Sequence, residues 1–287
     1  MTDGANPLRI AHFSDIHCGD GSFSREAMEA LVAGVNALDP DVVAVAGDLT
    51  GSGYEWEYEE AAQWLAQIEA PKVVVPGNHD GENAGHYHFE NLIGPRYSVY
   101  RHSFDPERAE FLGAPGLTVV GADSSEPGVG EGRVGRLRQS WIEEQFARPE
   151  EIEVLVIHHH LVSIPGSGRE RNTIADDGEL LARIIRLDVD IVLSGHKHVP
   201  WFWSVNGTLI ANSGTATTKR LRGFSPPSWH DLEIDGSSIR VYTNYAEGKR
   251  TLSLTMARRT QDLVESAFQI SDDFLETNRQ LGIDGPS

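Results

Sequence analysis

Cysteine is almost absent. Cys18 is the only one among 287 residues, which excludes an intrachain disulfide and a thiolate zinc site. Lysine is nearly as scarce. Lys72, Lys197, Lys219 and Lys249 are the only four, and every other base is arginine. Apolar runs stop at six or seven residues, as over 41–46, well short of the roughly 18–20 that span a bilayer. Residues 1–9 are polar, so no secretory leader is expected. There is no internal repeat, no low-complexity tract, no Gly-x-Ser-x-Gly elbow and no P-loop. These absences point to a soluble, cytoplasmic protein with no membrane partner.

Acid is what the chain has in excess. Its 43 Asp and Glu against 24 Lys and Arg leave a formal charge of -19. Such a chain repels a nucleic-acid backbone at long range, so no long nucleic acid is expected as partner. Bound cations would invert that field locally and admit a small phosphate ester.

Apolar β-rich runs alternate with amphipathic helical segments. Strands are expected at 8–14, 41–46, 72–75, 117–122, 152–157 and 191–193, and helices at 25–38, 55–69, 135–147 and 177–187. Four further strands follow at 201–205, 208–212, 232–234 and 239–242, with Asn206-Gly207 and Asp235-Gly236 as hairpin turns. Repeated βα units followed by hairpins predict an α/β fold of two packed mixed sheets with helices outside. One domain is expected over 1–250, with a helical extension of unassigned role over 251–287. His12, inside the first strand, reads as a packed core histidine.

Five segments sit just after apolar strands: Asp15-Ile16-His17, Gly47-Asp48, Gly77-Asn78-His79-Asp80, His158-His159-His160 and Gly195-His196-Lys197-His198. Ligand sites in open α/β sheets gather at the carboxyl ends of strands. Oxygen and imidazole donors without thiolate suit Mn, Fe, Co or Zn better than Ca. The i, i+2 pairs Asp15/His17 and His196/His198 would share one face of extended chain. Gly47, Gly77 and Gly195 would let the chain turn before each ligand.

These segments, in this order, resemble the calcineurin-like metallophosphoesterases, over about residues 8–215. Within that group the Gly47-Asp48-Leu49-Thr50 and Gly77-Asn78-His79-Asp80 blocks are most similar to prokaryotic cyclic-nucleotide and glycerophosphodiester phosphodiesterases. The resemblance implies a β-sandwich flanked by helices and two divalent transition metal ions, with Mn or Fe favoured over Zn or Co. Asp15, His17 and His198 would hold one ion and Asn78, His158 and His196 the other, with Asp48 bridging. His79 would be catalytic and Asp80 would orient its imidazole. His159 would contact substrate or support a ligand, and the basic run Lys219, Arg220 and Arg222 would contact substrate. The function implied is phosphodiester hydrolysis on a small substrate, with hydroxide generated at the metals as nucleophile. A phosphomonoesterase or nucleotide pyrophosphatase on the same site is the alternative, ahead of a nuclease or a non-catalytic scaffold. Oligomeric state is left open.

Overall fold

The computed structural model describes residues 6–146, 148, 150–165, 167, 173–219, 225–259 and 268–280. In the first half, β1 (Leu8–Phe13), α1 (Arg25–Leu38), β2 (Val42–Ala46), α2 (Glu55–Leu65) and β3 (Lys72–Val75) form repeated βαβ units with parallel strands. Ser24 caps α1 by accepting the Ala27 amide at 3.3 Å, and Asp39 ends it in the left-handed region. Then come α3 (Gly85–Leu92), β4 (Tyr97–Ser103), α4 (Pro106–Leu112), β5 (Gly116–Ala122), α5 (Arg136–Gln145), β6 (Ile152–Val156), α6 (Asp177–Leu187) and β7 (Ile191–Ser194). The last part holds β8 (Trp201–Val205), β9 (Thr208–Asn212), β10 (Ser228–Ile234), β11 (Ser238–Tyr245), β12 (Arg250–Ala257), β13 (Phe268–Ile270) and α7 (Asp272–Gln280).

The strands make two mixed sheets, ordered β13-β12-β11-β10-β1-β2-β3 and β4-β5-β6-β7-β9-β8. Leu8, Ile10, Val42 and Ala44 of the first sheet and Val154, Ile191 and Leu209 of the second share the core between them. Met28, Leu31 and Tyr58 cover the outer face of the first sheet, and Ile142 and Ile184 that of the second. Each sheet is therefore apolar on both faces, as strands that carry helices outside and a second sheet inside must be.

Three expectations change. The four late strands are not one antiparallel run. Asn206-Gly207 joins β8 to β9 in one sheet, whereas the turn at Asp235 joins β10 to β11 in the other. Residues 85–112 form α3, β4 and α4, which were not expected: β4 is half-exposed to exposed throughout and shows no alternation. The segment beyond 250 is not a helical extension over its described part. β12 pairs antiparallel with β11, and β13 with β12. Phe274 of α7 is buried, its ring centroid 5.2 Å from that of Phe202. The alternating Thr251–Ala257 stretch lies between β11 and β13 in the first sheet, and its Leu254 and Met256 belong to the same core. His12 is fully buried, as expected, and faces His230 across the β1–β10 register.

Glu153 stands out within β6. It is 2% exposed, and its Oε1 has no hydrogen-bond partner among the described residues. Burial, with help from the Asp190 carboxylate, pushes its carboxyl up to about 8. Between the ordinary glutamate range and pH 8, the unfolded chain has lost this proton and the folded chain keeps it. The folded state binds more protons there, so stability falls as pH rises through that window. Glu153→Gln should raise the melting temperature by several degrees at pH 8, with the gain fading towards pH 5. A gain of equal size at both pH values would show that the carboxyl is not held protonated.

Candidate metal centre

All five motif segments lie at carboxyl ends of parallel strands. β1, β2 and β3 are mutually parallel in the first sheet, and β6 and β7 in the second. The two sheets bring those ends together over one cavity of about 170 Å³. Its walls include His17, Asp48, Asn78, His79, His196 and His198, with Asp20, Ser22, Gly130 and Thr218 completing them.

The donor atoms fall into two sets. In the first, His17 Nε2 is 3.1 Å from His198 Nε2, and His198 Nε2 is 3.2 Å from Asp15 Oδ1. In the second, Asn78 Oδ1 is 3.2 Å from His158 Nε2 and 2.9 Å from His196 Nδ1. Asp48 Oδ2 touches both, at 3.9 Å from His17 Nε2 and 3.4 Å from His158 Nε2. His158, the first of the triple, brings its Nε2 to Asn78 and Asp48, and His159 offers a ring nitrogen within 4.8 Å of the His158 and His196 donors. Asp15 Oδ1 is buried and has no hydrogen-bond partner among the described residues. Two carboxylates and several imidazole lone pairs converging out of water are costly unless a cation is among them. Oxygen and imidazole at these separations fit divalent transition metals.

Burial holds the His17 imidazole down to about 4 and that of His196 well below the ordinary histidine range. Both are neutral at pH 7, the form that ligates. For His158 burial acts the same way, but the Asp48 and Asp15 carboxylates outweigh it and hold it up to about 9. A cation between them would replace that proton.

The convergence has a backbone cause that spacing did not reveal. Asp15, His17, Asp48, His196 and His198 all have positive φ, between 53° and 78°. The paired residues therefore meet through left-handed turns and not along extended chain. Non-glycine residues in this region carry strain, which persists at functional sites because the surroundings enforce it. Gly47, at φ 86°, is a true left-handed glycine. Gly77 is needed for a different reason: a Cβ there would lie 2.1 Å from Asp48 Oδ1.

His79 sits half-buried at the cavity, at the start of a single 3₁₀ turn, His79–Gly81. Its amide donates to Asp48 Oδ1 at 3.0 Å, and its Nδ1 lies 2.8 Å from the Gly51 carbonyl oxygen. Burial opposes its charge, yet Asp48 and the Gly51 carbonyl outweigh burial and hold its imidazole above the ordinary range. Asp80 does not orient this ring, contrary to expectation. Its carboxylate accepts from the Leu49, Thr50 and Gly77 amides and from the Thr50 hydroxyl, at 2.8–3.0 Å. Those four donors tie two ligand loops together. Burial and the neighbouring Asp48 charge push the Asp80 carboxyl up to about 6 against them. The orienting group for His79 is the Gly51 carbonyl, which no side-chain motif could announce.

The expected substrate contacts fare differently. His159 is fully buried, is not among the residues that line this cavity, and packs its ring 4.6 Å from that of His196. Lys219 is exposed, next to Thr218 of the cavity wall, and its amide donates to the Ser22 carbonyl. Arg220 and Arg222 lie outside the described residues. What the sequence did not show is a group of hydroxyls in the cavity wall, from Ser22 and Thr218. There the Ser22 amide and hydroxyl donate to Asp20 Oδ1 at 2.7 and 2.6 Å, and the Ser22 hydroxyl is 2.5 Å from that of Thr218. No helix among the described residues is long and apolar enough to cross a membrane.

Comparison with known proteins agrees with this geometry. Residues 8–200 match the family model of the calcineurin-like phosphoesterases. The 3',5'-cyclic adenosine monophosphate phosphodiesterase CpdA of Escherichia coli is 25% identical over 255 residues, covering 80% of this chain and 86% of that protein. The glycerophosphodiester phosphodiesterase GpdQ of Enterobacter lignolyticus is 26% identical over 203 residues, covering 67% and 71%. Among solved structures, purple acid phosphatase PPD1 from yellow lupin shares the fold, with a TM-score of 0.60 at 17% identity. The match covers 90% of this chain and 55% of the plant protein, so the chain spans about half of that phosphatase.

Proposed function

The chain belongs to the calcineurin-like phosphoesterase family, hydrolases acting on phosphoester bonds, and from that premise we propose that it is a dinuclear metal-dependent phosphodiesterase acting on small phosphodiesters. The observation that carries the reading is Asp48 Oδ2, which stands within 4 Å of donors from both ligand sets. Asp15, His17 and His198 would hold one ion, Asn78, His158 and His196 the other, and Asp48 both. Such a pair acidifies water to a nucleophile and neutralises the non-bridging phosphoryl oxygens.

The chain's own residues do the rest. Asp15 and Asp48 supply the negative charge that retains divalent cations. The hydrogen bond from the Asp15 neighbour Ser14, and the His196 amide on Asp15 Oδ2 at 3.0 Å, aim the remaining oxygen at the first set. His79, held by Gly51 and able to carry a proton, would give that proton to the leaving oxygen. The preference for diesters rests on the relatives named for cyclic nucleotides and glycerophosphodiesters. The small cavity and the -19 charge argue against a long polyanion.

The test uses purified protein with Mn²⁺, bis(p-nitrophenyl) phosphate, p-nitrophenyl phosphate, cyclic AMP, glycerophosphodiesters and plasmid DNA. Small diesters should be cleaved at least ~10-fold faster than the monoester and the plasmid at matched phosphate, and a chelator should abolish turnover. Monoester turnover above diester turnover would move the function to a phosphomonoesterase. Efficient cleavage of the plasmid at moderate salt would overturn the small-substrate reading.

A further inference from the structure

Away from the ligands, the side chains of His86, Arg96, Asp123 and Ser125 close a hydrogen-bonded ring. Arg96 Nη1 donates to Asp123 Oδ2 at 2.8 Å and lies 3.2 Å from His86 Nδ1. His86 Nε2 lies 2.8 Å from the Ser125 hydroxyl, which donates to Asp123 Oδ1 at 2.6 Å. Asp123 is fully buried just past the end of β5. His86 belongs to α3, and Arg96 stands just before β4. The Arg96 guanidinium is steadied by a further bond, from Nε to Glu90 Oε1 at 2.8 Å.

The donors settle where each proton sits. A guanidinium has only N–H groups to offer, so His86 Nδ1 accepts from Arg96. The imidazole then carries its proton on Nε2 and donates it to Ser125 Oγ. The Ser125 hydroxyl keeps its own proton for Asp123. Each contact in the ring has one donor and one acceptor. The other tautomer, or an imidazolium, would set N–H against N–H at Arg96. Burial and the Arg96 guanidinium hold the His86 imidazole below the ordinary range, against the pull of Asp123.

The ring connects two parts of the cavity wall. Ser125 stands in a hairpin over 124–133, where the Arg133 amide donates to the Ser124 carbonyl at 2.8 Å and the Val129 amide to that of Glu126 at 3.2 Å. Gly130, on this hairpin, lines the cavity. On the other side lies the His79–Gly81 turn. A Cβ on Gly81 would come within 3.1 Å of His86 Nε2 and 3.6 Å of Pro127 Cα. His86 therefore packs against both the turn that carries His79 and the hairpin that carries Gly130. It does not itself line the cavity.

We infer that His86 is a positioning residue for the substrate: as the neutral Nε2–H tautomer it accepts from Arg96, donates to Ser125, and so fixes the Gly130 hairpin beside the His79 turn. It acts through the hairpin and takes no part in bond breaking. The inference rests on the phosphodiesterase reading, because the wall it fixes is the wall of that site.

The test is imidazole ¹⁵N NMR on the zinc-loaded protein, with steady-state kinetics of two variants on bis(p-nitrophenyl) phosphate. At pH 7 His86 should show a protonated Nε2 and an unprotonated, hydrogen-bonded Nδ1. His86→Leu, which keeps the bulk and removes both nitrogens, should raise KM about 10-fold, the scale of one lost hydrogen bond, with kcat within about 2-fold of the parent. His86→Gln, whose amide carries both an acceptor and a donor, should recover most of that loss. A protonated Nδ1 on His86 would overturn the assignment. So would an unchanged KM in His86→Leu, or a loss that falls on kcat alone. The NMR result stands even where a variant fails to fold. A parent that cleaves no phosphate ester overturns the proposed function and the wall role with it, whereas an active parent with the other tautomer overturns this assignment alone.

Discussion

Asp48→Ala should release both metal ions at once. Its Oδ2 lies close to both donor sets, at 3.4 Å from His158 Nε2 and 3.9 Å from His17 Nε2. Its Oδ1 accepts the His79 amide, so the same side chain ties the catalytic turn to the ligands. Removing it takes an anionic ligand from each ion and frees His79 to move. Turnover should fall by roughly 10³-fold or more, the scale of about 4 kcal/mol of lost electrostatic stabilisation. Asn78→Ala is the contrast. It touches only the set with His158 and His196, and should leave about one ion per chain after dialysis. Metal analysis of the two variants, with circular dichroism to confirm folding, separates a bridge from two independent sites. Two tightly held ions in Asp48→Ala would remove the bridging role.

His79→Asn should slow an alkyl or nucleoside phosphodiester by about 10²–10⁴-fold and a p-nitrophenyl ester by far less. The ring lines the cavity and its Nδ1 rests on the Gly51 carbonyl. A protonated His79 therefore has Nε2–H left to offer. Asp48 and Gly51 favour that charged form against burial. An alkoxide needs the proton in order to leave, whereas p-nitrophenolate departs largely unaided. Metal content should not change, because no His79 ring nitrogen is needed to complete either ligand set. Equal losses on both esters with the metals retained would instead make His79 a group that stabilises phosphoryl charge. Loss of metal or of folding would make it structural.

The ligands were legible because their side chains do two things at once. Each follows an apolar strand, and each is a residue type that is expensive to bury without a partner. That marked Asp15, His17, Asp48, Asn78, His158, His196 and His198 as candidate ligands, and the structure brings their donor atoms together. The fold was legible for a related reason: strands apolar on both faces, alternating with amphipathic helices, need two sheets with helices outside. What escaped depends on backbone conformation and on distant partners. The left-handed turns at five ligands leave no mark in residue spacing. Asp80 follows His79 in the chain, yet its carboxylate turns to the Leu49 and Thr50 amides, about thirty residues away. His159 follows His158 but points to Ser124, which a loop, α5 and β6 separate from it in the chain. β12 does alternate over Leu252, Leu254 and Met256, but β13 is only three residues long and is recognised by its pairing with β12.

Electron paramagnetic resonance of the Mn²⁺-titrated chain tests the shared carboxylate most directly. Two manganese ions held by the shared Asp48 carboxylate would be magnetically coupled. The chain should bind two Mn²⁺ and, at saturation, give one coupled dimanganese signal, which Asp48→Ala abolishes. Saturation at a single ion, or two ions giving only the spectrum of isolated Mn²⁺, would contradict a dinuclear centre.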